Sequence, residues 1–477
     1  MKKIISRFAP SPTGYLHIGG LRTALFNYLW AKKNNGQFLL RIEDTDQNRL
    51  VEGAAENLIK ILREMGLDFD NQEPMIQSKR IKIYQEAAKN LVAEKKAYYC
   101  FCSAERLENL RESQQAKKQM PRYDRHCLNL SPEEIEEKLA KGEKHVIRFY
   151  VPSEKKTEVN DLVYGKITVN NLDLDDFIIL KSDGFPTYHL ANIIDDHEMQ
   201  ISHAIRGEEW LPSLPKHYLL YQAFGWENAI PEFVHLPLLL NPDRSKLSKR
   251  QGDVAVEDFL AKGYLKEALL NYVALLGWNP GTDQEFFSLK DLEKEFSLEK
   301  INKAGAIFDL QKLNWFNAEY IRQAINNQDA TYQNILNESK KILATTYDLE
   351  KVLKVSGSRL NNLSELKEAA AFYYNLADYP AEMLIFKKSD LEKTKLGLNL
   401  ALENLAKITE DQWQEKELFE LLDKLIQDHN LNPGDLFWPV RVALSGQEKS
   451  PSPAEILWVL EKEESLKRLK QAVDKLS

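Results

Sequence analysis

The chain reads as an α/β protein: a Rossmann-like parallel-sheet core with an inserted α/β segment, followed by an all-helical region. Strand and helix patterns alternate over residues 3–66, that rhythm breaks between about 100 and 187, and helical periodicity takes over after 323. The run KIISRF (3–8) predicts a first strand. APSPTGYLHIGG is turn-rich, with Pro10, Pro12, Gly14, Gly19 and Gly20. Leu21, Ala24, Leu25, Tyr28 and Leu29 then fall at the spacing of a helical face. In QFLLRIED, Phe38, Leu40 and Ile42 share one face and Leu39, Arg41 and Glu43 the other, so a second strand is expected. A helix in VEGAAENLIKILREMG completes a strand–helix–strand–helix unit.

Helical pieces (SAERLENLRESQQ, SPEEIEEKLAKG) and strand-like pieces (HVIRFYV, FIILKS) mix in the inserted segment. HEMQISHAIRG alternates at Met199, Ile201, His203 and Ile205, which predicts a return to the core sheet. ELFELLDKLIQ puts Leu418, Leu421, Leu422, Leu425 and Ile426 on one helical stripe. The expected domains are 1–98 and 188–252 for the two halves of the core, 99–187 for the insert, 253–322 for a helical connecting domain and 323–477 for the helical end.

With 477 residues, 43% hydrophobic and 29% charged, the chain has the composition of a multidomain globular protein. A net charge of −8 excludes a generally basic nucleic-acid binder, so an RNA partner would meet local basic patches. No apolar run is long enough to span a bilayer, and MKKIISRFAP is too short in its apolar part for a signal peptide. Three cysteines, an odd number, argue against a disulfide framework and for a reducing, cytoplasmic setting.

Two runs carry chemistry. In SPTGYLHIGG a glycine-containing turn between strand and helix presents backbone N–H groups and a positive helix end, which suits phosphate. His17 stands where the helix begins, and Gly19 permits close approach of a flat base or ribose. An ordinary capped turn with an incidental histidine explains this run equally well. In KLSKR, Lys246 and Lys249 place movable positive charge beside Arg244 and Arg250, which suits a departing pyrophosphate. Taken alone, a solvated basic turn explains that run better.

Together and in this order, the two runs resemble the two signatures of class I aminoacyl-tRNA synthetases. The longer stretches RFAPSPTGYLHIGGLRTALFNYL, RIEDTDQNR, DDFIILKSDGFPTYHLANIIDDHEMQISHAIRGEEW, NPDRSKLSKR, KLNWFNAEYI and RVALSGQEKSPSP resemble bacterial-type glutamyl-tRNA synthetases over essentially the whole chain. Gly20, Leu247 and Arg250 depart from the general class pattern in ways usual for that branch.

The resemblance implies ATP-dependent activation of L-glutamate to glutamyl-adenylate, then transfer to the terminal adenosine of tRNA(Glu), with Mg²⁺ accompanying ATP. It implies that His17, Lys246 and Lys249 act on the triphosphate, and that Ser11, Thr13, Gly19, Glu209, Trp210 and Leu239 line the nucleotide site. Arg206 would take the side-chain carboxylate of glutamate and Glu43 its ammonium, with Arg7, Ser11, Tyr188 and Asn192 completing the pocket. A planar guanidinium suits a carboxylate, and strand ends are where open α/β sheets bind ligands. Outside the resemblance, Glu43 reads more readily as an ion-pair partner of Arg41 or Arg49, and Tyr188 as packing.

The insert is expected over the acceptor end of the tRNA, and the helical end at the anticodon, with Arg441 matching a base-contacting arginine. Arg468 reads as a solvated helix residue, while Trp413 and Trp458 read as core. Some relatives bind zinc through Cys-x-Cys and Cys-x-His. Here Cys100, Cys102 and Cys127 are followed by Asn129 where the histidine would stand, so an empty site is expected and any zinc would be structural. A monomer is expected. Two rivals are a shortened relative that glutamylates a modified tRNA base and an inactive RNA-binding paralogue. The helical third speaks against the first, and intact His17, Lys246, Lys249, Glu43 and Arg206 against the second. Charging of tRNA(Gln) stays open at this level.

Overall fold

A computed structural model describes residues 3–247, 255–343 and 346–477. The chain separates into two units, Met1–Phe259 with Leu270–Asp309, and Leu260–Leu269 with Leu310–Ser477.

The first unit is built on a sheet whose strands are β1 (Ile5–Phe8), β2 (Gln37–Ile42), β3 (Met75–Ile76), β6 (Lys156–Asp161), β7 (Gly165–Asn170), β9 (His203–Gly207) and β10 (Glu232–Leu236). Their order across the sheet is β3-β2-β1-β9-β10-β6-β7, parallel except for the β6–β7 hairpin. Helix α1 (Ile18–Lys33) makes the first crossover. Ile18, Leu21, Ala24, Leu25 and Leu29 are fully buried along one stripe, and Lys32 and Lys33 oppose the negative helix end. Helices α2 (Ala54–Glu64), α3 (Ile81–Ala93), α6 (Tyr188–Glu198) and α7 (Leu214–Ala223) complete the layers over the sheet. Leu58, Tyr84, Leu190, Ile193, Leu214 and Leu220 are among the side chains they bury.

The predicted insert is tied into this core. Strands β4 (Ala97–Cys100), β5 (Val146–Phe149) and β8 (Ile178–Leu180) form a separate three-stranded antiparallel sheet, with helices α4 (Ala104–Ala116) and α5 (Pro132–Ala140) between β4 and β5. The hairpin β6–β7, however, joins the core sheet, with Asp161 opposite Phe233 of β10. It alternates buried Thr157, Val159 and Asp161 with exposed Lys156, Glu158 and Asn160, so one of its faces belongs to the core. The first insert boundary, expected between 98 and 99, falls inside β4.

One predicted strand is shorter than its pattern. Met199 and Ile201 lie before β9, because their N–H groups close the end of α6 on the carbonyls of Asp195 and Asp196. Gln200 takes a left-handed conformation (φ 54°) between them. The remaining strands β11 (Leu239–Leu240) and β12 (Ala306–Ile307) pair in parallel.

The second unit is helical among its described residues, and its division from the first at Asp309 and Leu310 precedes the expected boundary at 322 and 323. The stripe on the helix Glu415–Asp428 is buried at Leu418, Leu422, Leu425 and Ile426, while Leu421 is half-buried. Trp413 is core, and its indole N–H donates to the carbonyl of Leu457. Trp458 is half-buried and carries Lys354 over its ring at 4.9 Å. Arg468 differs from expectation. It is buried, and its Nη1 and Nη2 donate to the carbonyls of Phe372 (2.7 Å), Leu444 (2.6 Å) and Tyr373 (2.9 Å). Its Nε bonds Glu464 at 2.9 Å. Charge periodicity could not show this, because the carbonyl acceptors come from distant turns.

Replacing Arg468 by Met leaves three buried carbonyls without a donor. Unfolding of the helical unit should lose about 2–4 kcal/mol, at 1–3 kcal/mol per orphaned polar group with partial relaxation. Calorimetry of the purified variant checks this, and an unmoved transition would refute it.

Candidate active site

A cavity of about 400 Å³ opens at the carboxyl ends of β1, β2 and β9. Its walls include Arg7, Ser11, Thr13, His17, Gly19, Arg22, Glu43, Tyr188, Arg206, Glu209, Trp210, Leu239 and Lys246. Widely separated segments thus converge on one open edge, the place where α/β sheets bind ligands.

His17 is the N-cap of α1. Its Nδ1 accepts from the N–H groups of Gly19 (3.0 Å) and Gly20 (3.3 Å). With Nδ1 used as an acceptor, the neutral ring carries its proton on Nε2 and can donate it to an anion. A Cβ at Gly19 would stand 2.8 Å from His17 Cε1 and 3.7 Å from Leu239 Cδ1. Glycine therefore leaves room for the capping ring of His17, while the facing wall stays at ordinary contact distance. Lys246 is exposed at the pocket edge, bridged through the backbone to Leu240, while Leu247 N–H donates to Leu239 O. Lys249 lies outside the described residues.

The acid–base layer beneath is dense. Arg7 is buried and binds Asp196 through Nε (2.9 Å) and Nη2 (3.2 Å). Arg41 binds Asp196 at 2.6 Å and Glu43 Oε1 at 2.9 Å. Burial works against ionisation of Asp196, but Arg7 and Arg41 outweigh it and hold the carboxyl below its usual range. For Glu43 burial dominates: it raises the pKa although Arg41 and Arg7 oppose it. Both bonds from Arg41 end on Oε1, so Oε2 has no donor among the described residues. The ion pair with Arg41 read from the sequence and a place in the pocket wall are thus both realised, and Arg49 pairs with Asp46 instead.

Arg206 differs from Arg7 and Arg41. It is buried, yet no carboxylate among the described residues lies within ion-pair distance. Nε donates to His235 Nε2 (3.0 Å), Nη1 donates to Tyr188 Oη (2.9 Å) and lies 3.2 Å from His217 Nδ1. Nη2 is buried with no partner. A buried guanidinium held only by neutral groups attracts an incoming anion strongly. Tyr188 also packs on Trp210, with ring centroids 4.0 Å apart.

Asn192 departs from the expected pocket. It is buried on α6 and reaches Asp196 Oδ2 at 3.5 Å instead of lining the cavity. It lies four positions before Asp196, which places both on the same helical face. The sequence reading missed Arg22, whose guanidinium lines the pocket and donates to the carbonyls of Leu276 (3.1 Å) and Pro237. It also missed His217, His235 and Asp161, which have no sequence motif to mark them.

The cysteine cluster is compact: one sulfur from each of Cys100, Cys102 and Cys127 lies within 4.8 Å of the others. Cys102 Sγ and Cys127 Sγ are 3.5 Å apart. Tetrahedral thiolate ligation of zinc needs sulfurs about 3.8 Å apart. Asn129 was expected to leave the set one donor short, but Tyr123 supplies an oxygen. Its hydroxyl is 3.3 Å from Cys100 Sγ and 3.4 Å from Cys102 Sγ, and accepts from Cys127 N at 3.0 Å. Arg148 lies 4.1 Å above the Tyr123 ring, and Arg106 donates to Cys102 Sγ at 3.5 Å. The Cys127 contact draws the Cys100 thiol down to about 4 against the effect of burial, and pushes Cys127 up. These residues fit a zinc ion.

In the helical unit, Arg441 is half-buried and its Nε has no partner among the described residues. Burial and then the neighbouring Arg359 lower its pKa. Arg359 itself sits 3.7 Å from Glu455. The indole N–H of Trp438 donates to Met383 O, and its ring packs on Phe386.

Comparison with known proteins agrees with this division. The family model of tRNA synthetases class I (E and Q), catalytic domain, matches residues 3–315, and that of the anticodon binding domain matches 310–473. A glutamate–tRNA ligase of Clostridium botulinum is 46% identical over 485 residues, covering 100% of this chain and 99% of that protein. One from Clostridium tetani is 46% identical over 484 residues, covering 99% and 98%. The crystal structure of a glutamate tRNA ligase from Elizabethkingia meningosepticum, in complex with its amino acid, superposes with a TM-score of 0.88 at 34% identity and covers 100% of both chains. The Elizabethkingia anophelis synthetase gives 0.86 at 34% identity, covering 99% of this chain and 100% of its own. No described helix is long and apolar enough to cross a membrane. The chain belongs to the class I tRNA synthetases (E and Q), and within them to the glutamate–tRNA ligases.

Proposed function

We infer that the chain activates L-glutamate with ATP and transfers it to the terminal adenosine of tRNA(Glu). The observation that carries the amino-acid assignment is Arg206: a buried guanidinium with a free Nη2 at the pocket wall and no anion of its own. The amino acid in the Elizabethkingia complex belongs to a close structural relative, which supports the same occupant here. Arg206 takes the side-chain carboxylate and Glu43 Oε2 the ammonium, with Tyr188 orienting the guanidinium. Arg7 at the pocket wall and Asn192 beneath it hold Asp196. Ser11, Thr13, Gly19, Glu209, Trp210 and Leu239 cradle the nucleotide.

In the first step the α-carboxylate of glutamate attacks the α-phosphorus of ATP in line. The P–O bond to pyrophosphate breaks, leaving glutamyl-adenylate. In the second step a ribose hydroxyl of the terminal adenosine attacks the acyl carbon and AMP leaves. No protein nucleophile is needed; positioning and charge stabilisation supply the rate. His17 donates Nε2–H to phosphate, and Lys246, with Lys249 of the same signature, offsets charge growing on the leaving group. Mg²⁺ accompanies ATP and screens its phosphates.

The segment 99–187 meets the acceptor end and 253–322 the stem. Residues 323–477 read the anticodon, where Arg441 and Arg359 present cations to RNA. Cys100, Cys102, Tyr123 and Cys127 would hold a zinc ion, which would brace the insert. The protein works as a cytoplasmic monomer.

Pyrophosphate exchange with glutamate, with and without tRNA, tests the reading; no exchange under either condition would overturn it. Arg206→Ala should reduce kcat/KM for glutamate about 10²–10³-fold, matching the 2–5 kcal/mol lost when one side of a buried charge pair is removed. ATP binding should be retained, and wild-type glutamate affinity would contradict the role of Arg206.

Glu43 supplies a pH test. Its raised pKa means that the free site takes up a proton at higher pH than an ordinary carboxylate, and the protonated form cannot hold an ammonium. KM for glutamate should rise as pH falls, beginning above the ~4.3 of the substrate's own side chain. In Glu43→Gln that limb should vanish on a uniformly higher KM. A limb identical to wild type would show that another group titrates.

Metal analysis of protein purified without chelator should find zinc at about one ion per chain by the four-donor geometry. Cys102→Ser should lose most of it. Metal-free wild-type protein would overturn the zinc assignment.

A further inference from the structure

Arg206 is surrounded by neutral acceptors whose protonation is fixed by a chain of hydrogen bonds. A guanidinium only donates. His235 Nε2 receives Arg206 Nε at 3.0 Å and must therefore be unprotonated, which leaves the ring proton on Nδ1. That nitrogen lies 2.7 Å from Asp161 Oδ2. The same oxygen accepts His235 N–H at 3.1 Å, while Oδ1 accepts the N–H groups of Val163 (2.9 Å) and Tyr164 (2.8 Å). Four donors thus converge on one buried carboxylate, and its orientation has no freedom. Both Asp161 and His235 are almost fully buried.

The second arm follows the same rule. His217 Nδ1 faces Arg206 Nη1 at 3.2 Å and must accept, so its proton sits on Nε2, which lies 3.2 Å from His189 Nδ1. Burial first, then Arg206, keeps His235 neutral down to about 4 despite Asp161. Burial and Arg206 likewise lower His217. Two imidazoles and one phenol occupy Nε and Nη1 without neutralising the cation, and Nη2 is left over.

We propose that Asp161 and His235 are positioning residues for substrate selection: Asp161 locks His235 as an acceptor, and His235 turns the guanidinium of Arg206 so that Nη2 meets a carboxylate. This rests on the reading of Arg206 as the partner of the glutamate side chain. It explains why a residue from the inserted hairpin lies beside the pocket. Asp161 ends β6, His235 lies on β10 and Arg206 on β9, three adjacent strands. Without the lock, His235 could place its proton on Nε2 and oppose a donor with a donor. The guanidinium would then swing, and the preference for a charged carboxylate over the amide of glutamine would fall.

The test compares His235→Phe, which removes the acceptor, with His235→Gln, whose Oε1 restores one near the Nε2 position. Asp161→Asn and Arg206→Ala complete the set. His235→Phe should raise KM for glutamate at least about tenfold and lower the glutamate-over-glutamine ratio of kcat/KM by a similar factor, with KM for ATP unchanged. His235→Gln should recover both to within about threefold, and Asp161→Asn should resemble His235→Phe. If Arg206→Ala loses glutamate while His235→Phe keeps wild-type selectivity, the positioning role is wrong and the reading of Arg206 stands. If Arg206→Ala keeps glutamate affinity, that reading fails first. Should His235→Phe not fold, nitrogen NMR of histidine-labelled wild-type protein decides, with the His235 signal assigned by its loss in His235→Gln. An Nδ1–H tautomer is expected, and an Nε2–H tautomer would overturn the proposal.

Discussion

The pocket depends on unequal treatment of its buried arginines. Arg7 and Arg41 are neutralised by Asp196 and Glu43, whereas Arg206 is held by histidines and a tyrosine. A buried cation is costly unless something compensates it, and in the function proposed above the compensating anion is the side-chain carboxylate of the substrate. The paired arginines fix Asp196 and Glu43 as rigid features, so the unpaired charge of Arg206 has a defined place to point. Binding energy of a carboxylate then comes from ending an electrostatic deficit that glutamine cannot end.

The nucleotide side follows a different economy of means. His17 spends one ring nitrogen on capping α1, and this fixes both the ring and its tautomer. The cap favours Gly19, because a Cβ there would press on the ring at 2.8 Å from His17 Cε1. A signature that looks like a string of separate chemical groups is locally one steric arrangement: the helix start, the histidine and the glycine are one object.

Much of this was legible in the sequence because it lies in contiguous runs. The strand–turn–helix around His17 has a local pattern, and apolar spacing marked α1, β2 and the stripe on Glu415–Asp428. What escaped was nonlocal. Asp161 and His235 are 74 positions apart and meet only because β6 pairs with β10. Arg468 looked solvated because its neighbours are charged, yet its acceptors are carbonyls about a hundred residues away or on another helix. Tyr123 escaped for a chemical reason: a phenol beside cysteines is not a usual zinc pattern, and only the fold brings its hydroxyl to Cys100 and Cys102. Met199 and Ile201 alternate like a strand, but the end of α6 claims their N–H groups first. Periodicity reports which residues are buried, and hydrogen bonding decides which element they join.

Strand order turns these scattered residues into a line. Across the sheet, β2-β1-β9-β10-β6 brings up in succession Glu43, just past the end of β2, then Arg7, Arg206, His235 and Asp161. Read as charge, the row runs negative, positive, positive, neutral, negative. In the proposed assignment, the ammonium of glutamate meets Glu43 at one end of this row and its distal carboxylate meets Arg206 toward the other. The neutral histidine is the necessary member. An acid directly beside Arg206 would cancel the charge that selects the substrate, while an apolar residue would leave the guanidinium unaimed. Placing the imidazole between Arg206 and Asp161 transmits direction from the carboxylate without delivering its charge at contact distance, and the insertion of β6 beside β10 is what allows a sheet edge to do this.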